Sequence, residues 1–106
     1  MIVHKIENFV GGWFIGNFEP SLVKTEAFEV GLKVHKKGEK WGDHYHQIAT
    51  EYNCMVSGKM MLNGLEIKTG DVFIIEPGEI SRSEFLEDCH IIVVKIPSVI
   101  GDKYEV

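Results

Sequence analysis

Short β-favouring runs, broken by Gly, Pro, Asn and Asp, recur along the whole chain, and no stretch keeps a helical period. The runs fall at residues 13–18, 25–35, 44–46, 51–57, 59–62, 65–68, 72–76, 81–85 and 90–96. Residues 25–35 alternate cleanly, with Phe28, Val30, Leu32 and Val34 on one face and Glu29, Gly31, Lys33 and His35 on the other. Asn63-Gly64 between two runs predicts a tight hairpin, because both central residues must reach positive φ. About nine strands in so short a chain leave exposed edges unless the sheet closes or two sheets pack face to face. A double-sheet jelly roll, an all-β barrel, meets that requirement. The last residues, 98–106, read as an extended arm.

With 106 residues and no linker, repeat or low-complexity tract, the chain is expected to form one domain, residues 1–106. Its net charge of −5 argues against nucleic acid as a partner, since phosphate binding needs a basic face. The lysines between Lys33 and Lys40 are interrupted by Glu39 and read as a solvated strand end and loop. No apolar stretch is long enough for a membrane span. Residues 1–9 carry His4, Lys5 and Glu7, unlike a signal peptide. Two cysteines, Cys54 and Cys89, without CxxC spacing, read as reduced thiols packed as small hydrophobes in a cytoplasmic protein.

The chemistry concentrates in the spacing G-x5-H-x-H-x4-E-x6-G, placed on Gly38, His44, His46, Glu51 and Gly58. Positions two apart on a strand point the same way, with α-carbons roughly 6.5 Å apart. The imidazoles of His44 and His46 can therefore converge on one ion. Glu51 has the wrong parity for the same strand, so the chain must turn between Gln47 and Thr50 and re-enter on a neighbour. Once Glu51 faces inward, Asn53 and Met55 do too, while Tyr52, Cys54 and Val56 face away. Two imidazoles and a carboxylate leave open positions on an octahedral ion, as a catalytic metal requires.

This spacing resembles the first conserved motif of the cupins, specifically the small single-domain cupins. The segment Gly70-Asp71-Val72-Phe73-Ile74-Ile75-Glu76-Pro77-Gly78 is similar to the start of their second motif, G-x5-P-x-G-x2-H-x3-N. The resemblance covers about residues 28–96. It implies a double-stranded β-helix, one divalent transition metal (Fe, Mn, Ni, Co or Zn) on His44, His46 and Glu51, and a homodimer. The second motif departs from the pattern: one extra residue precedes Pro77, Gly78 follows directly, and Ser81 holds the position of the fourth, histidine ligand. Two fillings of that place are open: water or substrate, or an imidazole from His90 or His35. Alternatively the metal is absent and His44 and His46 are acid–base groups.

Asn53, Met55, Ser83, Phe85 and Trp41 are the expected pocket wall beside Ser81. Trp41 reads either as a roof over the pocket mouth or as loop packing. His90 reads as a hydrogen-bonded boundary residue in preference to a ligand, and His35 as exposed. Tyr45 should face away from the site, and Arg82, the sole arginine, should lie on the surface. The expected function is a metal-dependent enzyme, an isomerase, epimerase or dioxygenase, acting on a small polar metabolite such as a carbohydrate. The alternatives are a metal-free sugar isomerase or epimerase with histidine as general base, and a non-catalytic small-molecule-binding module.

Overall fold

Ten strands and two 3-10 turns, Ile6–Asn8 and Val10–Gly12, make up the computed structural model, which describes residues 1–106. The strands are β1 (Trp13–Ile15), β2 (Glu29–His35), β3 (His44–Tyr45), β4 (Thr50–Ser57), β5 (Lys59–Leu62), β6 (Leu65–Lys68), β7 (Val72–Ile75), β8 (Ser83–Phe85), β9 (Cys89–Ile96) and β10 (Tyr104–Glu105). All strand pairings are antiparallel.

One sheet has the order β1-β2-β9-β4-β7. Opposite it, β6-β5-β8 and the pair β10-β3 are joined by bridges between Lys40 and Glu84 and between His44 and Ser81. The result is the two-layered jelly roll that the density of strands requires. The hairpin between β5 and β6 turns on Asn63, at φ 51°, as its sequence demands. Gly58, after β4, adopts φ +112°, and a Cβ there would come 2.3 Å from the Asp88 carbonyl oxygen. Only glycine fits, which explains the last residue of the first motif.

The core lies between the sheets, where Met55, Met60, Leu62, Ile75, Phe85, Cys89, Ile91 and Val93 cluster. Cys89 is fully buried and Cys54 half-buried, and both thiols are free. The arm at residues 98–106 is more than an extension, because its end pairs as β10 with β3 and Tyr104 stacks on Tyr45. Tyr45 thus faces away from the interior, as its parity requires. No helix is long and apolar enough to cross a membrane.

β2 turns its polar face inward. Glu29 and His35 are buried, whereas Val34 is exposed. The alternation is as the sequence implies, but His35 is not the exposed residue expected of it. The reason is a cavity inside the barrel, lined by charged and apolar side chains together, against which β2 packs.

Candidate functional site

Antiparallel register sets the floor of the cavity row by row. Trp13, Gly31, Val93, Asn53 and Phe73 are cross-strand partners in one row running over all five strands. The row beside it holds Glu29, Lys95, Glu51 and Ile75, and on the other side stand Lys33, Ile91 and Met55. Gly31 leaves room for an indole, since a Cβ there would come 2.7 Å from the Trp13 ring. Trp13 covers the gap, and Lys33 and Lys95 place their ammonium groups 5.1 Å and 4.8 Å from its ring centre.

The facing wall comes from the second sheet. Ser81 donates its N–H to the His44 carbonyl at 2.7 Å, which locks the histidine segment against the serine segment. Between His46 and Thr50 the chain reverses, as the parity of Glu51 requires. Asp102 holds this reversal: its carboxylate accepts the N–H groups of Gln47 at 3.0 Å, Ile48 at 3.1 Å and Ala49 at 2.9 Å. Burial raises the Asp102 carboxyl, but these donors and nearby His46 outweigh it and hold the group below its ordinary value.

The same residue orients a histidine. His46 Nδ1 lies 2.6 Å from the Asp102 carbonyl oxygen, which can only accept, so Nδ1 carries the proton. Nε2, the ring's other nitrogen, stands 3.4 Å from Glu51 Oε2. His44 repeats the device, with Nδ1 donating to the Gly42 carbonyl at 3.1 Å. The two ring centres are 5.7 Å apart. Burial lowers the His44 pKa, Lys103 and His46 add to that, and the Gly42 carbonyl opposes it. Burial raises Glu51, but the His46 contact and the charges of Lys95 and both imidazoles outweigh it, and its carboxyl stays ionised below its usual range.

Two imidazoles and a carboxylate thus line one cavity of about 190 Å³. No three His, Cys, Asp or Glu side chains stand drawn together around a single point. In donor type and in the carbonyls that back each Nδ1, the set suits a borderline divalent ion.

Known structures with this architecture include a conserved protein with a double-stranded β-helix domain from Klebsiella pneumoniae, at TM-score 0.71 and 18% identity, covering 98% of this chain and 90% of that one. A protein with a cupin-like fold from Ralstonia eutropha matches at TM-score 0.67 and 12% identity, over 88% of this chain and 59% of the other. This chain has the cupin fold. A dimethylsulfoniopropionate (DMSP) lyase from Ruegeria pomeroyi shares it at TM-score 0.70 and 13% identity, over 89% of this chain and 49% of that one. Enzymes are therefore among the proteins built on this cupin frame. No family model and no curated protein matches the sequence.

Around the cupin cavity stand His44, His46, Glu51, Asn53, Ser81, Ser83, Phe85 and Trp41. Met55 does not join them. One row beyond Asn53, it is sealed in the core with no exposed surface. His90 is on the outer face of β9, exposed and hydrogen-bonded to Ser57 Oγ at 3.1 Å, and cannot reach the site. Arg82 is on the surface, paired with Asp43 at 2.9 Å. His35 stacks on Phe85 with ring centres 4.2 Å apart and contacts Glu39, which also accepts from Trp41 Nε1 at 2.6 Å. Glu39 so pins Trp41 at the cavity wall.

Sequence reasoning missed Trp13, Lys33, Phe73, Lys95 and Lys103, all of which line this cavity. Lys33 shares parity with Gly31 and His35, and that was the available signal. Lys103 comes from the arm, and no spacing pointed to it. A second cavity of about 270 Å³ shares Lys95 and Lys103 with the first.

Proposed function

We propose that this cupin holds one divalent transition metal ion, of the class Fe, Mn, Ni, Co or Zn, on His44, His46 and Glu51, and is an enzyme acting on a small polar metabolite. The supporting observation is that His44, His46 and Glu51 line the same cavity, with each imidazole Nδ1 engaged by a backbone carbonyl so that Nε2 is the nitrogen available to an ion. A bound ion would supply Lewis acidity with positions open to substrate. Ser81, a poor ligand for such ions, leaves the fourth protein position to water or substrate.

The chain's own residues would do the rest. Asp102 and Gly42 fix the imidazole tautomers, and Glu51 stays ionised under the influence of Lys95. Trp41, Phe73 and Phe85 give walls against which a ligand of a few atoms packs and from which it displaces water. A second reading draws on the 3.4 Å approach of His46 to Glu51. A shared proton satisfies that contact too, and His46 would then be an acid–base group in a metal-free isomerase or epimerase. Elemental analysis of protein purified without a histidine tag separates the two. One equivalent of a transition metal, lost in His46→Ala, is the expected result; a metal-free protein that still turns over sugar substrates sinks the metal reading.

The working unit we propose is a homodimer, joined through the outer face of the larger sheet. Val30, Leu32, Tyr52, Cys54, Val72, Ile74, Ile92 and Val94 form two adjacent cross-strand rows there, without a charge.

A further inference from the structure

Three of the cavity's lining residues are lysines, Lys33, Lys95 and Lys103, against a single lining carboxylate, Glu51. The chain as a whole carries a net charge of −5, so the cavity reverses the sign of the molecule. None of the three lysines makes an ion pair within the structure. Lys95 has Glu29 and Glu51 as cross-strand neighbours, and their charges partly balance it. Neither Lys33 nor Lys103 has a carboxylate as cross-strand partner, and Glu51 and Glu39 act on Lys33 only at longer range. Lys33 donates to the Gly11 carbonyl and lies over Trp13; Lys103 stands 4.4 Å from the Trp41 ring centre. Burial lowers the Lys33 pKa, and the like charges of Lys95 and Lys103 lower it further.

A second observation is independent of these charges. Asn53, 7% exposed and in the middle of the cavity floor, has a side-chain amide nitrogen with no hydrogen-bond partner. Buried donors without acceptors are uncommon, and each needs an explanation. Here the Asn53 amide and three ammonium groups line one space in which Glu51 is the only carboxylate. Apolar side chains, Phe73, Ile91 and Val93 among them, line the same space.

We infer that the cavity takes a small organic carboxylate, its oxyanion received by Lys33, Lys95 and Lys103 with the Asn53 amide donating, and its few carbons against the apolar walls. The inference rests on reading this cavity as the ligand site, and it narrows the ligand from a polar metabolite to an acid. Ammonium groups favour oxyanions over neutral polar groups through charge-assisted hydrogen bonds. A positive cavity in an acidic protein also concentrates anions at its mouth.

Both tryptophans of the chain sit beneath these lysines, so their fluorescence reports on the site. The experiment titrates EDTA-treated protein, in a buffer free of phosphate and carboxylates, with malonate, glutarate and lactate. The neutral diamides of malonate and glutarate and inorganic phosphate serve as comparisons. Expected are saturable binding of at least one carboxylate, none of its amide, and affinity weakened by on the order of tenfold in Lys33→Met and in Lys103→Met. Thermal melts of both variants should stay close to the parent, since the lost contacts with Gly11, Trp13 and Trp41 are offset by the removal of a repelled charge. Equal binding of acid and amide, or no carboxylate binding, overturns the inference, as does phosphate binding tighter than any carboxylate. Repeating the titration with one equivalent of Mn²⁺ separates the two readings. Carboxylates that bind only with the ion present would place recognition on the metal and not on the lysines, whereas binding unaffected by Mn²⁺ leaves the lysine site standing even if no metal is ever found.

Discussion

The unbonded amide of Asn53 occupies a place where an apolar side chain of the same size would fit. Leaving a buried donor unsatisfied costs about 1–3 kcal/mol, while replacing it by an apolar group is often neutral or better. Asn53→Leu should therefore stabilise the protein by about 1 kcal/mol in urea unfolding while abolishing carboxylate binding. A destabilised variant would mean that Asn53 already has a partner. Asp102 behaves in the opposite way. Its carboxyl is held below its ordinary value, and Glu51 and Glu39 are shifted in the same direction. A group with a depressed folded pKa adds stability above its unfolded pKa, and that contribution is lost as pH falls through the folded value. Melting temperature should thus fall steeply below about pH 4, the ordinary carboxyl range. Asp102→Asn should flatten that slope and cost on the order of 1–2 kcal/mol at neutral pH. An unchanged acid limb would show that other carboxyls carry it.

At the level of strands, β2 and β1 depend on one close approach. Gly31→Ala places a Cβ against the Trp13 ring, so the indole must move off the sheet and release Lys33 and Lys95 from its face. The expected cost is about 1–3 kcal/mol, with a changed tryptophan emission spectrum. The same strand shows where the sequence was legible and where it was not. Its alternation was plain, but alternation does not say which face meets the core. Val30, Leu32 and Val34 are the usual inward residues, and here they face out because the interior is a lined cavity. The histidine pair and Glu51 were legible because strand parity and one turn suffice to bring them together. Lys95 was hidden in an aliphatic run and Lys103 in an arm with no pattern. His35 was misjudged because its partners, Phe85 and Trp41, are brought to it only by the closing of the second sheet. Met55 was misplaced by one row, since parity gives direction but not depth.

For the whole molecule, charged residues line part of the inside while an uncharged apolar block faces out from the larger sheet. Exposed apolar patches of this kind mark association surfaces. A flat face without charge does not select a partner of opposite sign, and it matches a second copy of itself across a two-fold axis. Sedimentation should show a dimer at micromolar concentration and a monomer for Ile74→Asp. A parent protein that stays monomeric would leave this face without that role. A last consequence concerns the order of assembly. His46 takes its orientation from a carbonyl 56 positions further along the chain. So long a loop closes late and opens early. Amide exchange at Gln47, Ile48 and Ala49 should keep pace with the undocking of residues 102–106, so that fraying of that segment unsets the His46 imidazole while the barrel remains folded.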